Sequence, residues 1–390
     1  MILKISGGRI ISGKKVYDNT GIFVENGLLC HERSSFDAEI DATGLFITAG
    51  FIDIHTHGAL MKSFYDGTIE SYDTISTYQA SHGVSSVVGA IATMPMPEIL
   101  RCCMFMRSVA GRDFQGARIL GLHIEGPFIS AENKGAQRLE DIKNSEPEYY
   151  EQLLPYIDVI KIMTVAPDND NAVNMIKKFA SCGIILNGGH DNSHEPYIIK
   201  AIDAGMTHVT HLFCAMSSMR KIDGKKYLGL TECALEDDRL TVELIADGHH
   251  TSARLVRLAY KTKGADGMCL VSDLSVIGGM SLKDGSYEIS IPGVPVPRTI
   301  VVENGEAKTP DLKNHAGSTT AIDTMLKNVV SWGIPLAHAI EMITATPARI
   351  INEYDRIGSL DIGKLADITL LSPALDVVKT IVGGNIVYEK

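Results

Sequence analysis

A chain of 390 residues that is 45% apolar and 21% charged, with ordinary amounts of glycine and proline, is composed like a globular protein and unlike a disordered, fibrous or coiled-coil one. Its formal net charge of -11 repels phosphate backbones and argues against a nucleic-acid partner. No apolar run approaches the roughly 20 residues of a membrane span, and the opening MILKISGGRI has no charged segment ahead of a long apolar stretch.

The expectation is therefore a cytoplasmic protein with no membrane partner. The seven cysteines, Cys30, Cys102, Cys103, Cys182, Cys214, Cys233 and Cys269, are odd in number and include no CxxC pair, which suits a reducing compartment.

Residues 1–48 read as short alternating strands cut by the turn signals Gly7-Gly8, Ser12-Gly13, Asn26-Gly27 and Ala42-Thr43-Gly44. The tail, from IGSLDIGKLADITLL to TIVGGNIVYEK, has the same texture, so residues 1–48 and 355–390 are expected to pair as one small β-sandwich domain. Between them, over 49–354, apolar strand-like runs alternate with helical stretches, the pattern of a parallel sheet wrapped by helices.

Eight such runs are predicted as strands: Phe51–His55, Val84–Ala90, Arg118–Glu125, Val159–Thr164, Ile184–Gly188, Thr207–Leu212, Val242–Ala246 and Cys269–Asp273. Eight parallel strands close a barrel, so the predicted fold class is α/β, a (β/α)8 TIM-type barrel with the small sandwich beside it. Helices are expected over 139–154, 170–182, 195–205, 252–263 and 319–332.

Barrel enzymes carry their chemistry at the C-terminal ends of the strands. Six of the eight predicted strands deliver an acid, base or metal-type side chain there: His55 and His57 from the first, Glu125 from the third, His190 from the fifth, His211 from the sixth, His250 after the seventh and Asp273 at the eighth. His55 and His57 stand two apart on an extended segment, so both point to one side and can share an ion. His190 and His211 could hold a second, with Glu125 between the pairs as a bridging carboxylate. Two divalent ions about 3.5–4 Å apart bring the pKa of a shared water near neutral, and Asp273 beside it can pass the water's proton to a leaving nitrogen. His123 shares a strand face with Glu125 and reads as a supporting group behind the ligands.

These residues sit in the strings AGFIDIHTHG, GLHIEGPFIS, KGAQ, NGGHDNS, THVTHLFCAM, ELIADGHH, LVSD and HAGST, which together resemble the N-acetylglucosamine-6-phosphate deacetylase family of the amidohydrolase superfamily. The likeness runs in order from about residue 45 to 330, and the closing IGSLDIGKLADITLL resembles the superfamily's C-terminal sandwich. The resemblance implies hydrolysis of an N-acetyl amino sugar phosphate, one or two divalent metals such as zinc, iron or manganese, a small amino-sugar substrate and a homodimer. It implies metal binding by Glu125, His190 and His211, with Asp273 as acid/base. It further implies a substrate pocket lined by Ala136, Gln137, Cys214, Ala215, Asp247 to His250, and His315, Ala316 and Gly317.

Three departures from the family pattern touch that pocket. The family's KGAH reads KGAQ, placing Gln137 where a histidine contacts the sugar or the carbonyl; the asparagine of LYNAM is Cys214; and the phosphate-gripping arginine of GREPG falls on Lys225 or Lys226. The reading therefore keeps a deacetylase of another epimer, or of an unphosphorylated sugar, as its alternative. A metal-free scaffold is the remoter one, because none of the ligands is missing.

Overall fold

The protein is described by a computed structural model covering residues 2–390. Among the described residues, eight parallel strands follow one another around a barrel: β1 (Phe51–Thr56), β2 (Val84–Ala92), β3 (Arg118–Glu125), β4 (Ile160–Val165), β5 (Ile185–Gly188), β6 (Met206–Val209), β7 (Thr241–Leu244) and β8 (Met268–Leu270). Each pairs with its predecessor in parallel register, and nearly every residue is buried because the interior covers one face and the helices the other.

β1 and β8 are too far apart at their bases to form a ladder. There the chain at Met342–Ile343 fills the gap, accepting from Leu270 N and Ile52 N. Higher up, the side chain of Asp53 accepts from Ser272, and at the rim Asp273 N donates to His55 O (2.8 Å) while His57 N donates to Leu274 O (3.0 Å). The barrel is therefore sealed at its catalytic-type end by the residues singled out above for chemistry.

The predicted strands agree in number and order but overrun at the end of the sequence. β6 stops at Val209 and β8 at Leu270, short of the expected Leu212 and Asp273. The cause is local: His211 and Asp273 have φ of 28° and 42°, and His190, just past β5, has 45°. A left-handed backbone at a non-glycine residue is costly and breaks a ladder, so the chain turns at each of these side chains and throws it across the mouth of the barrel.

The helices α1 (Ile69–Ser81), α2 (Met96–Ser108), α3 (Asp170–Ala180), α4 (Glu195–Ala204), α5 (Leu230–Glu236), α6 (Ala253–Gly267) and α7 (Ile322–Ser331) lie among the strand connections. α3, α4, α6 and α7 fall on predicted segments. The helix expected over 139–154 is instead a run of short turns, Leu139–Asp141, Pro147–Tyr150 and Glu151–Tyr156, since Pro147, inside that span, lacks the donor that a continuous helix needs. No described helix is long and apolar enough to cross a membrane.

The two chain ends meet as expected. A six-stranded sheet pairs Phe46–Ala49 with Ile368–Leu371, flanked by Arg9–Ser12 and Lys15–Asp18 on one side and Val377–Val382 and Asn385–Glu389 on the other. It faces a four-stranded sheet made only from the N-terminal segment, over a core that includes Ile5, Ile47, Ile368 and Leu370. Gly50 alone separates this sheet from β1. A Cβ there would lie 2.3 Å from Ser85 Oγ, so only glycine lets the two elements approach.

A three-stranded antiparallel sheet, Gly285–Ile289, Arg298–Glu303 and Glu306–Lys308, sits between β8 and α7 and was not expected. Its Asn304-Gly305 turn, with both φ positive (53° and 81°), is the kind that joins tight hairpins.

Arg118, at the base of β3, ties the barrel to the sandwich by a forked contact to Asp367 (2.8 and 3.3 Å), whose carboxylate is 2% exposed. Replacing Arg118 by Ala leaves that carboxylate with only the Gly383 amide, a loss expected to cost about 3 kcal/mol. Denaturant unfolding checks this. A change of only ~0.5 kcal/mol, the level of a surface pair, would show that the tie carries no weight.

Candidate active site

The turns at the strand ends converge on one pocket of about 280 Å³. Most of the residues proposed from sequence line it: His57, Glu125, His190, His211 and Asp273 on the floor, and Ala136, Gln137, Cys214, Ala215, His250, His315, Ala316 and Gly317 on the walls. His55 is fully buried beneath the floor. Asp247 faces His250 instead of the cavity. Its carboxylate accepts from the backbone N–H of His249 and His250 (2.9 Å each), from His250 Nδ1 (2.7 Å) and from Ser318 Oγ (3.1 Å).

Lys225 and Lys226 are not part of it. They lie exposed on the hairpin Arg220–Ile222/Lys225–Tyr227, where Lys225 covers the ring of Tyr227 at 4.6 Å. The basic side chains that do line the pocket are Arg298 and Lys313. Neither was singled out in the sequence, although the Asn-Gly turn between two alternating runs marked the sheet that carries Arg298.

The floor is built for a cation. Two overlapping groups, His55, His57, Glu125 and Glu125, His190, His211, each bring three donor atoms within 4.8 Å of one another. Glu125 belongs to both. Its Oε1 lies 3.0 Å from His190 Nε2 and 3.2 Å from His211 Nε2, and its Oε2 lies 3.3 Å from His57 Nε2.

His190 Nδ1 donates to the Asn133 carbonyl (2.9 Å), which leaves a lone pair on Nε2, only 3.1 Å from His211 Nε2. Two imidazole nitrogens aimed at each other across Glu125 offer lone pairs that one cation could take up together. His55 Nε2 is buried with no hydrogen-bond partner, 3.6 Å from Asp273 Oδ1. These features fit a divalent metal held by His55, His57, Glu125, His190 and His211.

Proton energetics point the same way. Burial lowers the pKa of His57, but Asp273 and Glu125 outweigh it and lift the value to about 9. Burial likewise raises Glu125 and Asp273, and the imidazoles, chiefly His55, more than offset it and hold both below the ordinary carboxylate range. The carboxylates are ionised and draw positive charge onto the floor.

Each of these groups is held from behind. His55 Nδ1 lies 2.5 Å from Glu243 Oε1, which also accepts from His211 N (3.1 Å), so one buried carboxylate orients a residue of each metal group. Glu243 went unnoticed in the sequence because it sits inside β7 among apolar neighbours, where a charge reads as an anomaly. Its period-two position facing the barrel interior was the available signal. Gln137 Nε2 donates to Glu125 Oε2 (2.9 Å), and its Oε1 accepts from Thr93 N (2.6 Å), so both ends of the amide are engaged. His123 faces Thr164 Oγ1 (2.7 Å); burial, with His55 adding to it, drops its pKa to about 3, and it supports the floor as a neutral ring. Burial pushes the Cys214 thiol up to about 12, leaving it a neutral wall group.

The model of the Amidohydrolase family matches residues 46–387. Haemophilus influenzae N-acetylglucosamine-6-phosphate deacetylase is 33% identical over 89% of this chain and 87% of its own, and the Caenorhabditis elegans enzyme of that name is 30% identical over 94% and 90%. Among solved structures, the Pasteurella multocida N-acetylglucosamine-6-phosphate deacetylase superposes with a TM-score of 0.90 at 27% identity, covering 100% of both chains. A mutant of the Mycobacterium smegmatis enzyme in complex with N-acetyl-D-glucosamine-6-phosphate gives 0.86 at 26%, covering 99% of each.

Exchanging Glu243 for Gln should weaken metal binding about 10- to 100-fold while the fold persists, since the orienting charge behind His55 is lost. Competition with a chromogenic chelator measures it. Affinity within twofold of the parent would mean that packing alone holds His55 in place.

Proposed function

The chain belongs to the N-acetylglucosamine-6-phosphate deacetylase family of the amidohydrolases, and on that premise we propose that the pocket at the barrel mouth converts N-acetylglucosamine 6-phosphate and water to glucosamine 6-phosphate and acetate. The observation that carries this reading is the pair of triads sharing Glu125, with Asp273 Oδ1 3.1 Å from His57 Nε2 at the pocket floor.

His55 and His57 would hold one divalent ion and His190 and His211 a second, with Glu125 common to both. Metal ions so placed polarise an amide carbonyl and make water nucleophilic near neutral pH. Asp273, ionised because His55 and His57 overcome its burial, accepts the proton as the water oxygen adds to the acetyl carbon. It returns that proton to the nitrogen as the C–N bond breaks, and the sugar leaves as a neutral amine instead of an amide anion. The His57 contact fixes the carboxylate between water and nitrogen. Gln137 keeps Glu125 in place. His250, set by Asp247 and stacked on His315 at 4.1 Å, forms with Cys214 and Ala215 the wall against which the sugar ring rests.

The test is acetate release from N-acetylglucosamine 6-phosphate by metal-loaded protein. Elemental analysis after reconstitution with zinc, iron or manganese should give between one and two ions per chain, and exhaustive chelation should abolish turnover until metal is restored. Turnover that persists in thoroughly stripped protein would defeat the reading.

Asp273→Asn should keep most of the metal and lose about 10²–10⁴-fold in kcat, the usual contribution of a general acid/base group. A variant retaining half the parent's kcat would assign the proton transfer to another residue.

A further inference from the structure

We infer that Arg298, carried into the pocket by the three-stranded sheet that follows β8, is the residue that binds the substrate's phosphate. This deepens the deacetylase reading and rests on it.

The strand Arg298–Glu303 is paired with Gly285–Ile289 so that Arg298 stands opposite Ile289. Alternate residues share a face, and Arg298 and Ile300, together with Ile289, all line the pocket. Arg298 is thus the one charged group on an otherwise apolar wall. Its guanidinium makes no hydrogen bond to any described residue and has no carboxylate within the 4.0 Å of an ion pair. The neighbouring cation Arg138, by contrast, is engaged by Glu140 and Asp141, both at 2.6 Å.

A half-buried cation without a partner is unfavourable unless a ligand supplies the counter-charge. The anions that act on it, Glu125 and Asp273, lie across the cavity and are already committed to the histidines of the floor. N-acetylglucosamine 6-phosphate carries a single anionic group, its phosphomonoester, and the planar fork of arginine matches that group. Lys313, exposed at the rim of the same pocket, adds charge of the same sign.

The experiment compares kcat/KM for N-acetylglucosamine 6-phosphate and for N-acetylglucosamine in the metal-loaded parent, Arg298→Met and Arg298→Lys. Melting temperatures with glucosamine 6-phosphate or glucosamine report binding apart from turnover. The parent is expected to prefer the phosphorylated sugar. Arg298→Met should lower kcat/KM for that substrate about 10- to 150-fold and leave the unphosphorylated one within about twofold. Arg298→Lys should fall between, and glucosamine 6-phosphate should protect the parent but not the methionine variant.

A methionine variant that keeps the parent's preference, or that loses both substrates equally, overturns the assignment and leaves the deacetylase standing. A parent that deacetylates both sugars equally overturns the assignment together with the phosphorylated substrate. If the methionine variant does not fold, the lysine variant decides: a preference reduced severalfold supports Arg298, and an unchanged one overturns it.

Discussion

Asp273 acts through two parts of one residue. Its backbone N–H joins β1 to the chain beyond β8 by donating to His55 O, and its carboxylate faces the nitrogens of His55 and His57. The left-handed turn at Asp273 makes both possible, because a residue continuing β8 would extend the ladder and carry its side chain along the barrel wall. Sealing the barrel and assembling the site are therefore one constraint. His190 and His211 repeat the device at β5 and β6, and in each case the surrounding hydrogen bonds hold a backbone conformation that the residue alone would avoid.

Charge is arranged in layers around that seam. The outermost protein layer of the floor is Glu125 and Asp273, the next is the ring of imidazoles, and behind His55 lies Glu243, buried, with its pKa held well below the ordinary carboxylate range chiefly by His55 against the cost of its burial. Carboxylates on both sides of the imidazoles keep these side chains oriented before any substrate enters. The roof contrasts with this floor. Apart from Arg298, the inserted sheet offers the cavity isoleucine side chains, so the pocket is polar at its floor and mostly apolar on this side.

Much of this could be read in advance, and the reasons for what could not are physical. Strand count and order followed from runs of buried residues, and the side chains at strand ends followed from the rule that barrels place chemistry there. His55, His57, Glu125, His190, His211 and Asp273 do meet in space. Strand ends were misjudged at β6 and β8 because hydrophobic pattern carries no information on φ. The helix expected over 139–154 is broken by Pro147, which apolar periodicity does not register. Lys225 and Lys226 are named by motif position, which says nothing of where a hairpin stands; in this chain they are exposed and do not line the pocket. Arg298 and Glu243 were passed over since neither sits at a barrel strand end: one belongs to an insertion, the other to the middle of β7.

The pairing of Phe46–Ala49 with Ile368–Leu371 has a consequence in time. Thr48 and Thr369 are 321 residues apart, so at ribosomal speeds of about 5–20 residues per second the first strand waits roughly 15–65 seconds for its neighbour to be synthesised. β1, one residue further on, waits roughly two thirds as long for Asp273. During synthesis the nascent chain thus displays two unfinished sheet edges near its start, each open to pairing with a stranger. The outer one is only four residues long, and a short edge offers a wrong partner few hydrogen bonds.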